Sequence, residues 1–135
     1  IFEFELKLDE KMPKVNINEF VVWEIFEPLI QNSIDHADVE KIKIEITTEY
    51  KSGENKSIIL IKDNGKGINP ELLENNSAGV KKIFSENVST KNSENQNSGY
   101  GCYIAYQMAV KRCGWTLDSY NNDSGGCTFV IEIKN

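Results

Sequence analysis

The chain has 135 residues, 39% of them hydrophobic and 27% charged, an ordinary balance for one soluble globular domain with a core of its own. A net charge of −6 excludes a nucleic-acid binder that works through a basic footprint, and no apolar stretch reaches membrane-spanning length. Three widely spaced cysteines, Cys102, Cys113 and Cys127, form no C-x-x-C pair, which favours reduced thiols in a cytoplasm over a zinc site or a disulfide scaffold.

The chain opens on "IFEFELKL", not on Met and without a signal-peptide pattern, which points to a piece of something longer. Phe2, Phe4, Leu6 and Leu8 alternate, predicting a half-buried strand. From Asn18, a plausible cap, Val22, Ile25, Phe26, Leu29, Ser33 and Ala37 recur at helical spacing. Ile42, Ile44 and Ile46 alternate again, "KSGENK" turns, and "SIILIK" returns, predicting an antiparallel pair. Residues 69 to 98 are poor in apolar side chains and rich in Asn, Ser, Lys and Glu, and a loop of that length inside a compact domain predicts a functional lid over about 75–98. A helix is expected from Gly101 to Cys113, with contacts through Ile104, Ala105 and Met108. "WTLDSY" and "GCTFVIEI" then form two strands around "NNDSGG". The whole reads as one domain over 1–135, an α/β sandwich with a mostly antiparallel or mixed sheet.

"DNGKGI", residues 63–68, ends the second hairpin strand, and a turn accounts for Asn64 and Gly65 but not for Asp63 and Gly67. Calcium does not fit, because Gly65 and Gly67 fall where a calcium loop needs oxygen ligands. A dinucleotide loop does not fit at Gly99-Tyr100-Gly101, because Ile104 stands where the third glycine belongs and no strand precedes it. The sole histidine, His36, has no Ser or Cys nucleophile beside it in the pattern, so a nucleophilic triad is unsupported. Four stretches remain, in this order: "EPLIQNSIDHA", "DNGKGI", "IFSENVSTK" and "NSGYGCYIA".

Taken together these stretches resemble the GHKL (Bergerat-type) ATP-binding fold of sensor histidine kinases, gyrase B subunits, heat-shock chaperones and mismatch-repair ATPases. "PLIQNSIDHA" is similar to the N box, "DNGKGI" to the first glycine box, "IFSENVSTK" to the phenylalanine box of histidine kinases and "NSGYGCYI" to their second glycine box. "SGGCTF" resembles the family's last strand. The resemblance covers roughly Asn18 to Ile133 and implies a two-layer α/β sandwich, a mixed, mostly antiparallel sheet packed on helices, and a mobile ATP lid. It implies ATP and Mg2+ as cofactors, with Asn32 as the metal ligand.

The ATP contacts implied are Asn32, Asp35 and His36 on the N-box helix, and Asp63, Gly65, Gly67 and Ile68 in the first glycine box. Phe84, Thr90 and Lys91 follow from the lid, then Gly99, Tyr100, Gly101 and Cys102, and finally Thr128. Asp63 would accept from the adenine amino group, directly and through water. Gly65 and Gly67 would admit the backbone to the base. Gly99 and Gly101 would hinge the lid and present amides to the phosphates. Lys91, with Lys81 and Lys82, would add positive charge.

Hydrolytic branches of the family carry a glutamate four residues before that asparagine, whereas Pro28 stands there in this chain. Proline in a helix interior costs about 3 kcal/mol or more, so it marks a kink or another use of that turn. Glu27 is five residues before Asn32 and should point away from a metal there. Asp35 and Asn97 also depart from the kinase pattern, the latter standing in place of the box's first glycine. The resemblance therefore implies a protein histidine kinase catalytic domain. It would donate the γ-phosphate to a histidine on a separate dimerisation and phosphoacceptor domain, with a response-regulator receiver downstream. Nucleic acid and direct membrane contact are not expected, and the location is cytoplasmic even if the parent chain is anchored. Two alternatives stay open: a degenerate module that binds nucleotide or protein without transfer, and an ATP-hydrolysing member using Glu24 or Glu27.

Overall fold

The computed structural model describes residues 2–36, 40–86 and 96–135. In chain order it comprises β1 (Phe2–Lys7), α1 (Glu19–His36), β2 (Ile42–Lys51), β3 (Lys56–Asp63), α2 (Gln96–Tyr106), β4 (Thr116–Asn121) and β5 (Cys127–Lys134). The strands form one sheet in the order β1-β2-β3-β5-β4. Only β1 and β2 run parallel, and the two expected hairpins, β2/β3 and β4/β5, are antiparallel. A mixed, mostly antiparallel sheet packed on helices is the architecture the sequence predicted.

Alternation along the strands sorts the two faces of the sheet. Ile44, Ile59, Ile61, Phe129, Ile131 and Ile133 point to the helices and are buried. The opposite face carries surface ion pairs, Lys7–Glu45 at 3.0 Å, Lys43–Glu5 at 2.9 Å and Lys56–Glu132 at 2.7 Å. These exposed pairs add little stability.

Asn18 caps α1 as expected: its Oδ1 accepts the Phe20 N–H at 2.8 Å. The buried stripe of α1 is Val21, Ile25, Leu29, Asn32 and Ser33, while Val22 and Phe26 are only half-buried. Ala37, placed on that stripe by the sequence pattern, lies outside the described residues. The helix runs unbroken through Pro28. The carbonyl that proline leaves without a donor belongs to Glu24, which is exposed, so water can solvate it.

β1 departs from its half-buried expectation. Phe4, Leu6 and Leu8 are 46%, 60% and 61% exposed. β1 is the outer strand, and α1 contacts β2 and β3, so the helix layer stops short of it. Alternation in a sequence reports that one face is apolar, not that anything covers it.

The expected lid also changes at both ends. Residues 75 to 86 are built into the domain: Asn75 bridges to Lys81, and Asn76 Oδ1 accepts the N–H groups of Ala78 at 2.9 Å and Val80 at 3.1 Å. Ile83 and Phe84 enter the core, where the Phe84 ring stacks on Tyr106 at 5.4 Å and tilts against Phe129 at 6.2 Å. α2 begins at Gln96, earlier than the predicted Gly101, buries Cys102, Ala105 and Ala109, and widens into a π-helix over Gln107–Arg112. The expected lid residues between, 87–95, lie outside the described residues. Among the described residues no helix is long and apolar enough to cross a membrane.

Candidate functional site

Asp63 is the last residue of β3 and is only 4% exposed. Its Oδ1 accepts two backbone N–H groups, from Gly65 at 2.9 Å and from Cys127 at 3.3 Å. Among the described residues its Oδ2 accepts only the Cys127 Sγ–H, at 3.1 Å. Burial, joined by the Asp63 charge and the hydrogen bond to it, pushes the Cys127 thiol well above its ordinary range, so it remains a donor.

The hairpin between β4 and β5 holds this carboxylate in place. Asn122 Nδ2 donates to the Asp63 carbonyl at 3.2 Å, while its Oδ1 accepts the Thr128 hydroxyl at 2.6 Å. Asn121 clamps the following loop from both sides, accepting the Ile68 N–H at 2.7 Å and donating to the Ile68 carbonyl at 2.8 Å. Two glycines make these approaches possible. Gly67, at φ +87°, would place a Cβ 2.8 Å from Asn121 Oδ1, and Gly126, at φ +83°, would place one 2.0 Å from the Asp63 carbonyl oxygen. Asn64 ties the same loop to the start of β2, accepting the Lys43 N–H at 2.8 Å and donating to the Lys41 carbonyl at 3.1 Å.

α1 supplies the opposing wall. Asn32 and Ser33 are 7% and 3% exposed, and with Asp63, Gly67, Ile68 and Cys127 they line a cavity of about 10 Å³. A wider cleft of about 190 Å³ lies over the charged sheet face, lined by Lys43, Glu45, Lys62, Asp63 and Asn64 among others; Asp63 borders both, while Asn32 and Ser33 line the small cavity.

Of the residues singled out from the sequence, Asn32, Asp63, Gly67 and Ile68 therefore meet in one place. Gly65 joins them through its bond to Asp63, and Thr128 stands next to Cys127. Others are placed elsewhere. Asp35 is exposed and accepts from Gln31 Nε2 at 2.8 Å, and His36 ends α1. The Phe84 side chain is occupied in the core, and Cys102 is fully buried, its thiol pushed up to about 12 by burial. Lys81 donates to the Ser119 carbonyl and pairs with Asp118 at 2.9 Å, so its charge is taken up on β4. Thr90 and Lys91 lie outside the described residues.

Gly99 and Tyr100 fall early in α2, and only the first four N–H groups of a helix lack an internal acceptor. Gly101 sits inside the helix, where an added Cβ would stand 3.2 Å from Pro28 Cβ. At this point α2 packs closely on α1.

The sequence profile of histidine kinase-, DNA gyrase B- and HSP90-like ATPases matches residues 18–135. The chain belongs to this family. Among solved structures it is similar to the nucleotide-free catalytic domain of histidine kinase ThkA, at 25% identity over 98% of this chain and 79% of that one, with a TM-score of 0.75. The mycobacterial sensor histidine kinase MprB shares the fold at 18% identity, covering 98% and 80% of the two chains, with a TM-score of 0.72. Full-length ShkA in complex with AMPPNP does so at 16% identity and a TM-score of 0.75, with 98% of this chain covering 25% of that one. No curated protein sequence matches the chain. The domain is an ATP-binding domain of the kinase type.

Within this family's fold, position 28 offers no carboxylate to activate water. Pro28 packs on Gly101, and Glu24 and Glu27 are exposed while Asn32 is buried. Among the described residues no group of three or more His, Cys, Asp or Glu could hold a metal. A lone amide oxygen from Asn32 suits Mg2+, which keeps water and phosphate oxygens as its other ligands. Sequence reasoning missed Ser33, Asn121, Asn122 and the thiol of Cys127. The Asn pair was visible in "NNDSGG", where it read only as a turn, and Ser33 was visible as a hydroxyl inside an otherwise apolar stripe.

Proposed function

We propose that this domain binds Mg-ATP and donates its γ-phosphate to a histidine on a separate dimerisation and phosphoacceptor domain, serving a receiver protein in two-component signalling in the cytoplasm. The observation that carries the proposal is the pairing of a buried acceptor with a missing base. Asp63 keeps one lightly loaded carboxylate oxygen beside Asn32, and Pro28 fills the turn where a water-activating glutamate would stand. A phosphoryl donor to an external histidine needs no base of its own for water, because positioning and charge stabilisation do most of the work.

Asp63 reads the adenine amino group, Asn32 offers its amide oxygen to magnesium, and the free amides at the start of α2 face the phosphates. Bound magnesium would offset the negative charge that ATP brings to an acidic domain. A second reading is a module that binds nucleotide or a protein partner without transfer; Asp35, one departure from the kinase pattern, bonds Gln31 and does not line the cavity.

Incubation with γ-labelled ATP distinguishes these readings. Transfer should appear only when a helical phosphoacceptor domain is supplied, with no acid-labile label on His36 of the isolated domain. Steady phosphate release from the isolated domain would instead favour hydrolysis. Saturable ATP binding with neither outcome would leave the non-transferring module.

A further inference from the structure

α1 is apolar on two opposite sides, and the domain buries only one of them. Val21, Ile25 and Leu29 are buried where α1 meets the sheet and α2. Phe20, Trp23, Glu27, Ile30 and Ile34 follow one another at steps of three, four, three and four residues. That is the a/d spacing of a helix-on-helix seam, and it runs along the side of α1 that faces away from the buried stripe. Ile30 and Ile34 are half-buried against the core, whereas Phe20 and Trp23 are 71% and 60% exposed. A helix that is apolar all round is ordinarily covered all round. Here two large rings about one turn apart stand in water, and aromatic rings, Trp above all, are the anchors of protein interfaces.

The charges along the seam narrow what can cover it. Glu27 takes the central position, Glu24 flanks it and Glu19 stands at its start; all three are exposed, and none joins an ion pair among the described residues. A second copy is disfavoured. Pairing two such seams in register, parallel or antiparallel about the centre, sets Glu27 against Glu27 of the other copy, and like charges brought together at an interface repel. An anionic membrane surface is disfavoured for the same reason. A helix with apolar a and d residues, Lys or Arg at its central seam position and more of them on its flanks, meets both features: its apolar residues cover the rings and its cation meets Glu27.

We propose that the outward side of α1 is a docking surface for a basic amphipathic helix of a partner protein, anchored by Phe20 and Trp23 and set in register by Glu27. The surface stands apart from the nucleotide reading, since none of these three residues lines the cavity at Asp63.

The probes are two labelled synthetic helices of about three heptads with Leu at the a and d positions, one carrying Lys and the other Glu at the central a position and along the flanks. Titrated with the domain and followed by anisotropy, the Lys helix should bind about tenfold more tightly than the Glu helix, or better. Trp23→Ala should weaken the Lys helix by about tenfold or more. Glu27→Lys should reverse the order of the two helices. Both positions are exposed, so the variants should melt with the wild type, and the comparison of the two helices on wild type stands without any variant. Equal binding of both helices, or binding of neither, would overturn the proposal. So would self-association of the domain, read by sedimentation and abolished by Trp23→Ala, which would give this side of α1 to a second copy.

Discussion

Asp9 and Asp63 each accept two backbone N–H groups, yet they do different work. Asp9 spreads its load, with Oδ1 accepting from Lys11 at 2.9 Å and Oδ2 from Tyr50 at 2.9 Å, while its own N–H donates to Thr48 Oγ1 at 2.8 Å. Both oxygens are used, and the segment after β1 is stapled to β2. Asp63 concentrates both N–H groups on one oxygen and leaves the other to a thiol. Acceptor capacity spent evenly makes a structural fastening, whereas capacity held back at a cavity stays open to an incoming donor.

The comparison breaks most severely at the cradle beneath Asp63. Gly126→Ala forces a Cβ to within 2.0 Å of the Asp63 carbonyl oxygen at a left-handed φ. It should cost about 3–4 kcal/mol, read as a lower urea midpoint, with failure to fold as the extreme outcome. A variant as stable as wild type would mean that the hairpin does not hold Asp63 as described.

Asp63→Ala removes the acceptor itself. A hydrogen bond to a charged group contributes about 1.5–3 kcal/mol, so ATP affinity should fall tenfold or more in a direct titration. The variant should also lose some stability, because the Gly65 and Cys127 N–H groups lose their acceptor.

Asp9→Ala should do the reverse, lowering stability while leaving ATP affinity within about twofold of wild type, less than one ordinary hydrogen bond is worth. Its effect carries a pH signature. The N–H bonds from Tyr50, then from Lys11, hold the Asp9 carboxyl below its usual range. The stabilisation is therefore complete above the unfolded-state value of about 3.9 and is lost as pH falls through the lower folded-state value. Denaturation curves of wild type and variant should differ at neutral pH and converge in strong acid; a gap that persisted there would assign the loss to packing.

The smallest effect sharpens the idea of reserved capacity. Cys127→Ala takes the thiol off Oδ2, so ATP affinity should stay level or rise by up to about threefold, because a thiol is a weak competitor for that oxygen. A tenfold loss would show that the thiol positions the carboxylate and does not merely occupy it.

Much of this site could be read from the chain alone. Asp63 and Gly67 declared themselves because "DNGKGI" asks for more than a turn, whereas Asn32 came from the resemblance of "PLIQNSIDHA" to the N box. The isoleucine alternation of β2, the apolar run of β3 and the Asn18 cap were equally legible, since each rests on local geometry. What could not be read depends on contacts between distant segments. The bond from Cys127 to Asp63 spans 64 residues and the Asn121 clamp on Ile68 spans 53. Phe84 looked like a lid residue because its neighbours are polar, and only Tyr106 and Phe129 reveal it as core. The exposed face of β1 was misjudged for a related reason: coverage is a property of the helix layer, not of the strand.

The contact between Gly101 and Pro28 has a consequence for how far the two helices can be altered. Their separation at this crossing is set by one bare Cα lying against one rigid ring, which works as a spacer of fixed thickness. A methyl added at position 101 must move a backbone or the proline ring, neither of which can swing aside like a flexible chain. Residue size at 28 and 101 is therefore a single shared quantity. Any attempt to graft a carboxylate onto position 28, and with it a hydrolytic reaction, first has to find room on the other helix.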